Sequence, residues 1–72
     1  MIWTSDLVKQ QVGERLVNHS NQAVIILSVS NCWVIKHWNK NPSKVAKDKP
    51  LVNCSQPELL CNWLTRNGYE PA

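Results

Sequence analysis

The chain has 72 residues, of which 43% are hydrophobic and 18% charged, with a net charge of +3. This balance is typical of a globular domain and argues against a disordered tail, a collagen-like repeat or a disulfide scaffold. A chain of this length forms one domain, residues 1–72, and buries only about 60% of its unfolded surface. It has room for one small core, and little room for a deep pocket with a catalytic shell.

The cellular compartment is predicted from the cysteines and the apolar stretches. Residues 16–35 carry no charge, but polar side chains interrupt them, so no stretch supplies the ~20 apolar residues of a membrane helix. Residues 1–6 lack the basic-then-apolar order of a signal peptide. Three cysteines cannot all pair within one chain, which favours free thiols in a reducing environment. We therefore expect a cytoplasmic protein with no membrane contact.

Residues 5–17 are predicted to form an N-terminal helix. Four apolar side chains share one helical arc there: Leu7, Val8, Val12 and Leu16. Gly13 weakens this prediction, since glycine inside a helix costs ~1 kcal/mol relative to alanine. The alternative is a strand near residues 14–18, joined to the next strand by a turn at residues 19–22.

Residues 23–38 are predicted to form an antiparallel β-hairpin, because β-branched residues dominate and Lys36 is the only charge. A three-residue loop at residues 30–32 would collect the larger apolar side chains on one face. A two-residue loop at residues 30–31 would mix Lys36 with that set. We predict the three-residue loop, which leaves three apolar residues on the second, outer face: Val24, Ile26 and Val34.

Residues 39–50 contain two prolines and four lysines and are predicted to be a lysine-rich loop. Residues 51–53 are candidates for a short third strand.

A second helix is predicted over residues 56–67. Ser55 and Glu58 have the spacing of a capping box, and Gly68 suits the left-handed position after a helix, with Tyr69 touching Leu64. Its apolar arc is Leu59, Leu60, Trp63 and Leu64.

Positive charge is concentrated in residues 36–49, where Asp48 is the only acid. The lysines there are Lys36, Lys40, Lys44, Lys47 and Lys49. Such a cluster can contact the phosphates of a nucleic acid, but lysine lacks the bidentate fork that reads bases well. The ordinary alternative is a solvated loop whose charge maintains solubility and protects a sheet edge.

The four tryptophans divide by position. Trp33 and Trp63 fall on predicted core faces. Trp3 either packs on the first helix or stands exposed. Trp38 lies opposite the predicted core face beside lysines, where an indole is a good contact for a protein partner. The alternative for Trp38 is a ring that lies across the outer face over Val24.

The sequence supports neither a metal site nor catalysis. The spacing of Cys32, His37, Cys54 and Cys61 matches no usual zinc ligand pattern. Including His19 does not complete such a pattern either. No pair of acids is spaced for acid–base chemistry, and the two glycines do not form a phosphate loop. We expect no cofactor, no small-molecule substrate and no enzymatic activity.

These observations predict a small α+β domain, with an N-terminal helix, an antiparallel hairpin and a C-terminal helix packed on one sheet face. The predicted function is non-catalytic binding of a protein partner or of a second copy of the chain, as an adaptor, inhibitor or accessory subunit. The predicted contact residues are Trp38, Val24, Ile26 and Val34. The alternative is a small basic nucleic-acid-binding regulator that uses the lysine cluster.

Overall fold

Three helices and five short strands make up the fold, and the computed structural model describes all 72 residues. In chain order they are α1 (Ser5–Gln10), β1 (Arg15–Val17), β2 (Ala23–Val29), β3 (Cys32–His37), α2 (Pro42–Lys47), β4 (Val52–Cys54), α3 (Glu58–Arg66) and β5 (Glu70–Pro71). The strands form one antiparallel sheet in the order β4-β3-β2-β1-β5. The predicted α+β class is confirmed. None of the helices has the length and apolar content needed to cross a bilayer.

The core lies between one face of the sheet and helices α1 and α3. Its buried residues are Trp3, Val8, Leu16, Val24, Ile26, Ile35, Leu60, Leu64 and Tyr69. Burying each aliphatic side chain of this kind contributes roughly 1.5–3 kcal/mol. The indole N–H of Trp3 donates a hydrogen bond to the Tyr69 carbonyl at 2.8 Å, which ties the two ends of the chain together.

The hairpin has a two-residue loop, so the predicted three-residue loop is wrong. Val29 pairs with Cys32 and Ile26 with Ile35, and Ser30 and Asn31 form the turn. Both turn residues have positive φ, 50° and 66°. That backbone matches the right-handed twist of the flanking strands, as in a type I′ turn.

This register reverses the predicted faces of β2 but not those of β3, since Trp33 and Ile35 do pack in the core as predicted. Val24 and Ile26 are fully buried in the core, so their predicted place on an exposed outer face is wrong and they cannot contact a partner. Val34 does lie on the face opposite the core, since it pairs with Leu27, but it is 5% exposed. A shift of one residue in register exchanges the two faces of a strand, which explains the size of this error.

The first helix is shorter than predicted, because the chain leaves the helix at Gln10 and continues as strand β1. Gly13 has a φ of +83°, and its N–H donates to the Ile26 carbonyl at 2.9 Å. The alternative of a strand is confirmed here. The turn that follows is organised by Asn18, whose Oδ1 accepts hydrogen bonds from the backbone N–H groups of Ser20 and Gln22, each at 3.0 Å.

Residues 39–50 are not entirely loop, since they contain α2. Asn41 caps this helix by accepting a 2.9 Å hydrogen bond from the Ser43 N–H, and Pro42 occupies its first position. This is the N-terminal arrangement that asparagine and proline favour. The predicted third strand is confirmed as β4, one residue later than expected.

Helix α3 confirms its predicted C-terminus and contradicts its predicted start. Gly68 has a φ of +70°, and the Tyr69 N–H donates to the Leu64 carbonyl at 3.1 Å, which closes the helix as a Schellman motif. The helix begins at Glu58 without a side-chain cap, so the predicted capping box with Ser55 does not form. Leu59, predicted on the buried arc, is 54% exposed.

A candidate binding groove on the outer face

The sheet face opposite α1 and α3, called the outer face below, carries the most distinctive surface of the molecule. An open groove of about 370 Å³ lies there between the sheet and α2. Its lining is mostly apolar: Ile25, Leu27, Trp38, Pro42, Val45 and Ala46, with Asn39 and Lys40 completing it. We call this feature the outer groove.

Strand β2 forms one side of the outer groove and α2 the other. Ile25 and Leu27 alternate with the buried Val24 and Ile26, so they project away from the core and are only half-buried. Val45 is the single buried residue of α2. The apolar side chains that line the groove therefore form a small cluster that is separate from the main core.

Lys36 holds α2 in position. Its Nζ donates hydrogen bonds to the backbone carbonyls of Val45 at 3.0 Å and of Ala46 at 3.2 Å. A cation at the C-terminus of a helix satisfies carbonyls that lack partners and interacts favourably with the helix dipole. Lys36, predicted as an anion-binding residue, thus has a structural contact that fixes one side of the outer groove.

Arg15 lies beside the groove, against Trp38, and sequence reasoning missed it. It pairs with Ile25 in the register of β1 and β2, which places its side chain on the outer face. Its guanidinium carbon lies 5.1 Å from the centroid of the Trp38 ring. Such a cation–π contact contributes about 0.5–1 kcal/mol at an exposed site. The alternation of the β1 strand, with Leu16 buried, was the signal that could have placed Arg15 there.

The remaining lysines of the cluster stay exposed around α2. Lys40 lines the outer groove, Lys44 and Lys47 lie on the open side of α2, and Lys49 follows the helix. Trp38 and Lys40 thus line the same groove, while Lys36 contacts α2 and lines a neighbouring groove. The structure does not bring Val24 or Ile26 to this surface.

A second, shallower groove of about 300 Å³ lies on the outer face near the hairpin turn. Val29, Cys32, Val34, Lys36 and Pro50 contribute to it. Val29 is 52% exposed, so apolar surface continues from the outer groove toward the turn. The positive charge of the face is centred on α2, which favours the first groove as the primary site.

The histidine, cysteine and acidic side chains do not line the outer groove, and they are dispersed over the molecule. No three His, Cys, Asp or Glu side chains come together as ligands for a metal ion. All three cysteines are free and half-buried. Burial, and next the nearby Glu58 carboxylate, raise the pKa of the Cys61 thiol above its ordinary value. A protonated thiol is a poor nucleophile, so Cys61 is suited to packing.

Comparison with protein-family models, with curated protein sequences and with solved structures gives no match to this chain.

Proposed function

We propose that this chain is a small non-catalytic interaction protein that binds a protein partner through the outer groove. It acts as an adaptor, inhibitor or accessory subunit. The observation that carries the proposal is an open apolar groove, with half-buried Trp38 at its side, outside the main core. Apolar surface of this kind, rimmed by charge, is typical of interaction sites, and tryptophan is enriched among the residues that dominate binding energy.

The sides of the groove are already held in place before any partner arrives. Lys36 fixes α2 through two carbonyls, and Arg15 restrains the ring of Trp38. Side chains that are ordered in advance lose less conformational entropy on binding. This favours a site that binds with little rearrangement.

Nucleic-acid binding is the second candidate, and four exposed lysines favour it: Lys40, Lys44, Lys47 and Lys49. Two observations rank it below a protein partner. Phosphates do not need the apolar surface of Ile25 and Leu27. A base that stacked on Trp38 would also compete with the Arg15 guanidinium for the indole.

A peptide-display selection tests the proposal. A random library is selected against the purified chain, and the clones are then compared on Ala46→Trp, which fills the groove from an exposed position of α2. Asn62→Trp, on the exposed side of α3, is the matched control. We expect clones that bind the original chain and Asn62→Trp but not Ala46→Trp. Selected clones that are all indifferent to Ala46→Trp, or no selected clones, would contradict the proposal.

A salt titration with a fluorescent single-stranded oligonucleotide tests the second candidate. Contact with single-strand phosphates through four lysines predicts a log–log slope of affinity against salt of about −3. The triple variant Lys44→Gln, Lys47→Gln and Lys49→Gln should then lose most of the affinity. A steep slope together with a failed peptide selection would make nucleic-acid binding the function.

A further inference from the structure

We propose that the outer groove takes a single large apolar side chain from an acidic peptide segment. This inference deepens the proposed function and rests on it. It follows from the charge around the groove, from the self-repulsion of this surface and from the size of the groove.

The charge around the groove selects an acidic occupant. Lys40 lines the groove directly, and Arg15 lies against Trp38 at its side. No acid is among the lining residues, and Asp48 is the only acid within residues 36–49. Charges at the rim of an interface raise the association rate and exclude partners of like charge. Asp and Glu beside the inserted side chain would complement this rim.

The same charges disfavour a second copy of the chain as the occupant. A symmetric dimer presents one surface patch to itself, so each residue near the axis faces its own counterpart. Pairing through the outer groove would bring Arg15 and Lys40 of one copy toward the same cations of the other. Like charges placed together across an interface are unfavourable. The groove therefore fits a different, acidic chain better than it fits itself.

The size of the groove limits how much of the partner enters. Its volume of about 370 Å³ is near the lower end of the roughly 300–1,000 Å³ that small-molecule pockets occupy. Because the groove is open, it can take one large aromatic side chain together with part of its backbone, and the rest of the segment lies outside among the lysines. Trp38 and Val45 are the residues in position to pack against the inserted side chain.

The composition of the selected peptides and one charge reversal test this inference. We expect clones that combine Asp or Glu with one large apolar residue. Lys40→Glu should weaken their binding by about fivefold at low salt, since exposed charge pairs contribute about 0.2–1 kcal/mol each. Lys9→Glu, an equal change in charge on the exposed side of α1, should change binding by less than about twofold.

The outcomes separate this inference from the proposed function. Clones that are apolar but not acidic, and that Ala46→Trp abolishes, would overturn the acidic segment and leave groove binding in place. Equal effects of Lys40→Glu and Lys9→Glu would also overturn it, because binding would then respond only to net charge. An absence of groove-dependent clones would overturn both.

Discussion

The Lys36 ammonium group donates a hydrogen bond to the backbone carbonyl of Val45 at 3.0 Å, so a side chain of the sheet completes the end of α2. Helices as short as these six residues are marginal alone, because nucleation costs more than one turn of hydrogen bonds returns. The burial of Val45 and the two hydrogen bonds from Lys36 therefore stabilise α2. The outer groove exists because this contact holds its second side.

Replacing Lys36 tests that dependence. Lys36→Met removes both hydrogen bonds but keeps much of the apolar stem, so we expect α2 to open more often and the stability to fall by about 1 kcal/mol. Hydrogen exchange should accelerate at the amides of Val45 and Asp48, which bond within this helix. Lys9→Met is the control. Unchanged exchange in α2 would mean that Lys36 does not hold the helix.

Gly68 is the glycine that the fold needs most. Its φ is +70°, and a Cβ at this position would lie 2.8 Å from the His19 Cε1 atom. We expect Gly68→Ala to destabilise the chain by about 1–2 kcal/mol from the left-handed backbone alone, plus the cost of displacing the imidazole. The free energy of unfolding in urea measures the total.

Two further variants separate the causes. Gly13 has a φ of +83° with open space around it, so Gly13→Ala should show the backbone cost without a clash. Adding His19→Ala to Gly68→Ala should recover part of the loss. If the double variant is no more stable than Gly68→Ala, the contact with His19 contributes nothing to the penalty.

Burial raises the pKa of the Tyr69 phenol above its ordinary value of 10.0. The folded chain therefore keeps this proton to higher pH than the unfolded chain does. The sign of the linkage follows: stability should be unaffected below about pH 9 and should fall as the pH rises through 10. Tyr69→Phe removes this contribution, so the unfolding free energy of the variant should fall less steeply with pH. Parallel curves for the two chains would contradict the assignment.

Replacing Trp38 by alanine should mainly weaken peptide binding, whereas replacing Trp63 by alanine should mainly lower the stability of the fold. Trp38 borders the outer groove, so Trp38→Ala should weaken a groove-binding peptide by about thirtyfold, as residues that dominate an interface do. Trp63 packs against the core and stacks on Tyr69, with ring centroids 5.4 Å apart. Trp63→Ala should therefore lower the melting temperature more than Trp38→Ala. Peptide fluorescence polarisation and thermal unfolding measure the two effects.

Local signals predicted those parts of the fold that local interactions determine. The Schellman ending at Gly68 and the strand-forming content of residues 23–38 are of this kind. The hairpin register was missed because the two-residue turn places Lys36 on the same face as Ile25 and Leu27. Lys36 does lie on that face, where its ammonium group donates to a carbonyl of α2. Strand β5 is only two residues long and pairs with β1, which lies near the other end of the chain, so no local sequence pattern indicates it.

The candidate site was predicted only where the side chain's neighbours are close in sequence. Trp38 and Lys40 follow strand β3 directly, and the sequence grouped them correctly. Arg15 reaches Trp38 through the pairing of β1 with β2, which the helical interpretation of residues 5–17 excluded. Val24 was assigned to the wrong face because that assignment depends on the parity of a distant turn.

Chemical-shift mapping measures the central claim most directly. The isotope-labelled chain is titrated with a display-selected peptide, and the backbone amide shifts are followed by NMR. We expect the largest changes at Ile25, Leu27 and Val45, and no change at amides on the exposed side of α3, such as Asn62. Changes centred on α3, or equally large changes in the Ala46→Trp variant, would contradict binding in the outer groove.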